Sequence, residues 1–344
     1  LARAAGILFG FAAAMVAGDY ALSRVHLPRV EGSTNEILWK WELYAAADPP
    51  PDVVILGSSY ELFGVAPDVI ERHARDRGTP VRVLNLAATA SNLVGEYLLA
   101  RRIVESGRVP RVVYLGITPK AVEDDRYTWS RGGIRAFGEL RDLPLVCAAG
   151  SRAAEEAVPA ALFRSYHQWS DARLIAERLM IGAALRPASK VREHAHGWAE
   201  WTGPAAASAP PLSPSGLPDG SPDADSAGES VNAEAARRLV SLLRGAGVEV
   251  YFVELPHSSR SPADEDPARN ASYRRFRDAL ASDTGAAVLR PPVGLLADGD
   301  YFDEAHLNAS GACKVSAWLG GELSRSQIAK AAPAPASLAA SVWD

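Results

Sequence analysis

Cysteine is nearly absent. The two that occur, Cys147 and Cys313, lie far apart, and neither belongs to a CxxC or Cys/His pattern. That excludes a structural zinc site of the finger type. A disulfide between them is open in an oxidising compartment, but two small buried apolar residues are the expected reading. Basic runs are missing too, and the formal net charge is -5 with a pI near 5.9. Without a phosphate-tracking stripe, nucleic acid is excluded as a partner. No Gly-rich loop follows the first apolar strand, which argues against a nucleotide-binding domain. Internal repeats are lacking.

Charge is absent from Ala4 to Gly18 (AAGILFGFAAAMVAG), with Arg3 just before it and Asp19 just after. A spanning helix needs about 20 mainly apolar residues, so the run is short unless it extends through Tyr20 to Leu22. A signal-anchor, a cleaved signal peptide and a buried helix are the three alternatives. No clean A-x-A site follows the run, which favours an anchor over residues 1–25. Arg3 keeps the N-terminus inside, so the rest of the chain is expected outside the cytoplasm.

What is present suffices for a large core: 344 residues, 48% of them hydrophobic. Residues 26–51 read as a connector with a short helix, in which Ile37, Leu38, Trp41 and Tyr44 repeat at helical spacing. Asp52–Leu56 (DVVIL) is a continuous apolar run, as expected of a strand covered on both faces. A helix over Val65–Arg77, a strand over Val81–Leu86, a helix over Asn92–Glu105 and a strand over Arg111–Ile117 follow. This rhythm implies an open, mostly parallel sheet with helices on both faces.

Between about 120 and 230 the rhythm breaks. Ala153–Leu185 is helical in pattern, Ala205–Ser230 reads as a flexible loop, and no buried strand is evident. The stretch is expected to be an insertion, placed where it could cover the site, rather than a separately folding domain. The pattern resumes with a helix over Asn232–Ala246, a strand over Val248–Leu255, a helix over Ala271–Ser282 and a strand over Ala286–Leu289. A loop over Asp303–Asn308 and a helix over Ser310–Ser324 close the domain, which spans 52–326. Residues 327–344 form an Ala/Pro-rich tail.

Two short constellations carry chemistry. Gly57-Ser58-Ser59 follows the first strand, and ligands on open parallel sheets bind beyond the carboxyl ends of strands. Asp303 precedes His306 by one turn's spacing. A serine hydroxyl needs a base, an imidazole supplies one, and a carboxylate on the other ring nitrogen fixes its tautomer. Either motif alone is common in turns and caps.

Together they resemble the SGNH/GDSL hydrolase superfamily over roughly Asp52–Thr118 and Asn232–Ser324. Val53-Val54-Ile55-Leu56-Gly57-Ser58-Ser59 matches that family's first block, with Ser58 in place of its usual Asp. Asp303, His306, Leu307 and Asn308 match the last block. The second block is similar to Val83-Leu84-Asn85-Leu86-Ala87-Ala88-Thr89-Ala90, with Ala90 where an oxyanion-hole Gly stands. In the third block Thr118 replaces the Asn. The resemblance implies a three-layer α/β/α fold (SGNH/flavodoxin-like), with a helical insertion and, here, an N-terminal membrane helix. It implies Ser59, Asp303 and His306 as catalytic residues. Ser59, Ala90 and Thr118 would hold the oxyanion, with no metal or organic cofactor. Loss of one oxyanion donor typically costs about 10²–10³ in turnover, so the Thr118 exchange bears on efficiency.

Gly-Ser-Ser, the missing Asn and the anchor look closer to the membrane-tethered branch that transfers acyl groups to cell-envelope polymers. The implied activity is an extracytoplasmic, periplasmic or cell-surface, esterase or O-acyltransferase acting on an acylated carbohydrate or polymer. The rival is a catalytically weak binding or scaffold protein among polysaccharide-assembly partners. Several other residues have a bland reading that outweighs a functional one. His257 is expected in a loop, Arg126 and Arg131 beside Trp129 in solvent, and Glu61 on the surface. His194 and His196 lack an evident third metal ligand.

Overall fold

The computed structural model describes residues 2–22, 34–89, 91–118, 127–148, 151–163, 165–166, 191–203, 230–259 and 267–325, with a few positions between 172 and 180. The expected loop at 205–230, the tail at 327–344, Ala90 and Arg126 lie outside them or largely so, as do the side chains of Trp129 and Arg131.

Five parallel strands form the central sheet: β1 (Val53–Leu56), β2 (Val83–Asn85), β3 (Val112–Gly116), β6 (Glu249–Val253) and β7 (Ala287–Leu289). Their spatial order is β2-β1-β3-β6-β7. Every residue of β1 and β3 is buried because helices cover both faces. Successive side chains of a strand point to opposite faces, so each run feeds two cores at once. Val54, Leu56, Val113 and Leu115 pack with α5 (Leu93–Glu105), α9 (Val231–Gly245) and α10 (Pro267–Thr284). Val53, Ile55, Val112 and Tyr114 face α4 (Pro67–Asp76) and α11 (Ala309–Arg325). The expected three-layer arrangement with a parallel sheet is therefore present.

The helix starts follow from local chemistry. Asn92 caps α5 by accepting from the Gly95 amide, and Ser230 caps α9 by accepting from Ala233. Pro67 opens α4, where its missing N–H costs nothing. The short helix α3 (Ser59–Gly64) begins at the serine itself, with Ser58 as its cap.

At the N-terminus, α1 (Ala2–Leu22) is helical, and Phe9, Phe11 and Val16 are exposed. Among the described residues no helix is long and apolar enough to cross a membrane, so the expected spanning helix gains no support from the fold. The helix expected in the connector is α2 (Thr34–Ala46), and it is packed into the domain. Ile37 and Tyr44 are buried, and α2 lies against α6 (Tyr127–Phe137). Lys40 is fully buried, and its ammonium donates to the carbonyls of Asn85 (3.1 Å) and Gly197.

The insertion holds α6, α7 (Leu143–Ala148) and α8 (Ser151–Leu162), which pack on the α5 side. It also contains strands where none was expected: β4 (Val191–Glu193) pairs antiparallel with β5 (Ala199–Trp201). At three residues each and only partly buried, they lack the apolar run that marks β1 and β3. The cysteine expectation is also overturned: Cys147 and Cys313 are both exposed and free. Cys147 lies in the last turn of α7 and Cys313 in the second turn of α11, and a single small apolar side chain on the surface is ordinary.

Candidate active site

In this strand order the chain reverses direction between β1 and β3. Crevices at such switch points, beyond the carboxyl ends of strands, are where open α/β sheets bind ligands. Ser59 follows β1 there, and Thr118 follows β3.

Ser59 and His306 meet although 247 positions separate them: Oγ lies 2.8 Å from Nε2. On the far side of the ring, Nδ1 lies 2.7 Å from Asp303 Oδ2. The other Asp303 oxygen accepts from the amides of Ala305 (2.8 Å) and His306 (2.7 Å). The aspartate thus fixes both the imidazole and the backbone that carries it. Burial alone would raise its pKa. The hydrogen bond and charge of His306, helped by the two amides, outweigh that and hold the carboxyl below its ordinary range. His306 keeps 23% side-chain exposure, so the imidazole is reachable from solvent.

The loop bearing His306 is tied down at its ends. Phe302 N–H donates to His306 O (3.0 Å), and Asn308 N–H donates to Asp300 O (2.9 Å). Asp300 accepts from Ala297 N–H (2.9 Å), Ser310 Oγ (2.9 Å) and Lys314 Nζ (2.7 Å). Tyr301 OH donates to Pro256 O (2.9 Å), joining this loop to the one after β6.

Aromatic rings surround the imidazole. Phe302 stacks on it with centroids 5.5 Å apart, Phe63 meets it edge-on at 5.7 Å, and Tyr60 lies 5.2 Å away. Trp201 of β5 stacks on Phe302 at 4.5 Å, so the inserted hairpin reaches the wall of the site. Trp198 donates its indole N–H to Phe63 O (3.2 Å). Of the insertion, this hairpin is the part that the described contacts bring to the imidazole's aromatic neighbours. His257 lies in the loop after β6, as expected, with its ring 5.3 Å from that of Tyr60. His194 instead stacks on Trp198 and pairs with Glu200 Oε2 at 3.0 Å. Among the described residues no group of three or more metal-binding side chains occurs.

The oxyanion expectations divide. The Ser59 amide lies at the first turn of α3. Ala90 is outside the described residues. Thr118 is buried just past β3, and the triad's described hydrogen bonds do not include it.

Glu61 corrects the surface expectation: it is 1% exposed. Its Oε2 accepts from the Ser58 amide (2.9 Å) and lies 3.4 Å from Ser58 Oγ, while Oε1 has no hydrogen-bond partner among the described residues. The carboxyl fits because Gly57 and Gly116 carry no side chain. A Cβ at either would overlap it. Burial pushes its pKa up to about 7, against which the Ser58 bonds work. Glu96 of α5 is buried as well, and burial followed by the charge of Glu61 raises its pKa well above the carboxylate range. The sequence marks that could have found this are Glu61 at the third position after a capping serine and two strand-end glycines.

The raised pKa has a consequence for stability. A carboxyl with a folded pKa of about 7 and an ordinary value of 4.5 favours folding fully below 4.5. That contribution is lost as pH rises through 7. The difference amounts to about 3 kcal/mol. Glu61→Gln cannot ionise, so its unfolding free energy relative to wild type should improve by about 2.5 kcal/mol between pH 5 and 8, the rest having been lost by wild type below pH 5. Urea unfolding of both chains at the two pH values measures it. A difference that does not move with pH would contradict the buried carboxyl.

No family model matches this chain, and no curated protein is similar enough to match it.

Proposed function

We propose that this chain is an SGNH-type serine esterase or O-acyltransferase whose substrate is an acylated carbohydrate or cell-envelope polymer. The observation that carries the reading is the unbroken hydrogen-bonded chain from Ser59 to His306 to Asp303. Neutral imidazole with its proton on Nδ1, facing the carboxylate, presents a bare Nε2 lone pair to Ser59 Oγ. That is the tautomer a general base needs.

Ser59 Oγ attacks the acyl carbonyl carbon, and His306 Nε2 takes the hydroxyl proton as the new C–O bond forms. The Ser59 amide, with the Ala90 amide and the Thr118 hydroxyl, stabilises the resulting oxyanion. Collapse breaks the bond to the leaving alcohol, which receives the proton from His306. Water or a polymer hydroxyl then attacks the acyl-serine by the same steps in reverse roles, giving hydrolysis or transfer. The chemistry uses no cofactor. The resemblance noted in the sequence supports the substrate class, the exposed Phe9, Phe11 and Val16 of α1 support contact with a membrane surface, and the extracytoplasmic side rests on Arg3 ahead of the apolar run.

The test is labelling of the purified full chain with a serine-reactive fluorophosphonate, alongside p-nitrophenyl acetate hydrolysis. Wild type should label and hydrolyse, and Ser59→Ala should do neither. A folded wild-type chain that is inert in both assays would sink the reading and leave a binding or scaffold protein of a polysaccharide-assembly complex.

A further inference from the structure

We propose that Glu61 is the positioning residue of the nucleophile turn: its carboxyl, seated in the slot left open by Gly57 and Gly116, holds the Ser58 amide and thereby Ser59 against His306. The inference rests on the hydrolase reading above and adds a residue to it.

A glutamate that merely completes a capping box can do so from the surface, where its second oxygen is hydrated. Glu61 does not. It is 1% exposed, and Oε1 is left without a hydrogen-bond partner among the described residues, a costly arrangement for a carboxyl. The cost accompanies contacts with the turn that carries Ser59, where Oε2 accepts from Ser58 N–H at 2.9 Å and lies 3.4 Å from Ser58 Oγ. The residue's own backbone is held as well, because Asn85 Nδ2 donates to Glu61 O at 2.8 Å. The carboxyl therefore reaches the turn from a fixed base. Its slot is formed by β1 and β3, the two strands on either side of the switch point, so it ties the nucleophile to the sheet. A serine on a turn of this kind must stay within hydrogen-bond reach of its base for proton transfer.

The slot also supplies an independent handle. A methyl group at residue 116 would occupy the space of the Glu61 carboxyl, which is the movable end of a flexible side chain. Gly116→Ala should therefore expel the carboxyl while leaving the glutamate in the chain.

The experiment is the rate of fluorophosphonate labelling of Ser59 against probe concentration, on the full chain. Glu61→Ala should lower the limiting rate about 10²-fold, with the half-saturating concentration unchanged, as expected when a reacting group is displaced by about 1 Å. Glu61→Gln, whose amide oxygen can still accept from Ser58, should restore most of that rate. Gly116→Ala should reproduce the loss, and the double variant Gly116→Ala/Glu61→Ala should be no slower than either single one, since both remove the same contact. Wild-type labelling matched by Glu61→Ala overturns the inference alone. So do losses that multiply in the double variant, or a Glu61→Gln chain as slow as Glu61→Ala. A folded wild-type chain that never labels overturns the hydrolase reading and this inference with it.

Discussion

Asp303→Asn is expected to lower ester hydrolysis by about 10⁴-fold while leaving the fold intact. The aspartate does two jobs with two oxygens. Oδ2 faces His306 Nδ1 at 2.7 Å, and Oδ1 accepts from two loop amides. Asparagine keeps an oxygen for the amides, so the loop survives. Its NH₂ then faces Nδ1, which must become the acceptor. The ring proton moves to Nε2 and points at Ser59 Oγ, so the base has no lone pair to offer. The change is one of tautomer and not of shape. Thermal unfolding near that of wild type, with hydrolysis of p-nitrophenyl acetate nearly abolished, is the expected pair of results. Hydrolysis within tenfold of wild type would mean that Asp303 does not set the tautomer.

The second large effect concerns stability. Asn85→Ala should destabilise the domain by about 2–5 kcal/mol, because it strands Val65 O and Ala87 N–H at about 1–3 kcal/mol each and removes a second donor from Glu61 O, which keeps Val65 N–H. Asn85 is fully buried. Its Nδ2 donates to Glu61 O and Val65 O, both at 2.8 Å, and its Oδ1 accepts from Ala87 N–H at 3.0 Å. One amide side chain therefore pins α3 at two carbonyls, through the end of β2. Asn85→Asp, of nearly equal volume, should be at least as damaging, since a carboxylate cannot donate to either carbonyl. Urea unfolding of the three chains measures both. An Asn85→Asp chain as stable as wild type would show that the two donated bonds contribute little.

Reading the strands needed no tertiary information. Val53–Leu56 and Val112–Gly116 are unbroken apolar runs because both their faces are covered, and that condition is written into each residue. Most element boundaries moved by one or two residues, as at β3, where the expected Arg111–Ile117 is Val112–Gly116, while α10 starts four residues before the expected Ala271. Strands β4 and β5 escaped notice for the opposite reason. Their residues are half-exposed and their register is set by the partner strand, so no local pattern distinguishes them.

The sequence by itself determined the parallel α/β class and the two separate motifs, Gly57-Ser58-Ser59 and Asp303–His306. It determined these because burial period, turn chemistry and an i,i+3 pair are local properties. Only the tertiary structure decided that Ser59 and His306 face each other at 2.8 Å, that Trp201 from the insertion stacks on Phe302, and that Glu61 is buried behind the turn before Ser59. Each of these depends on strand order and on which side chains are absent from a distant position. The empty space at Gly116 is filled by a residue 55 positions earlier in the chain. Such complementarity is a property of packed surfaces, and no stretch of chain carries it alone.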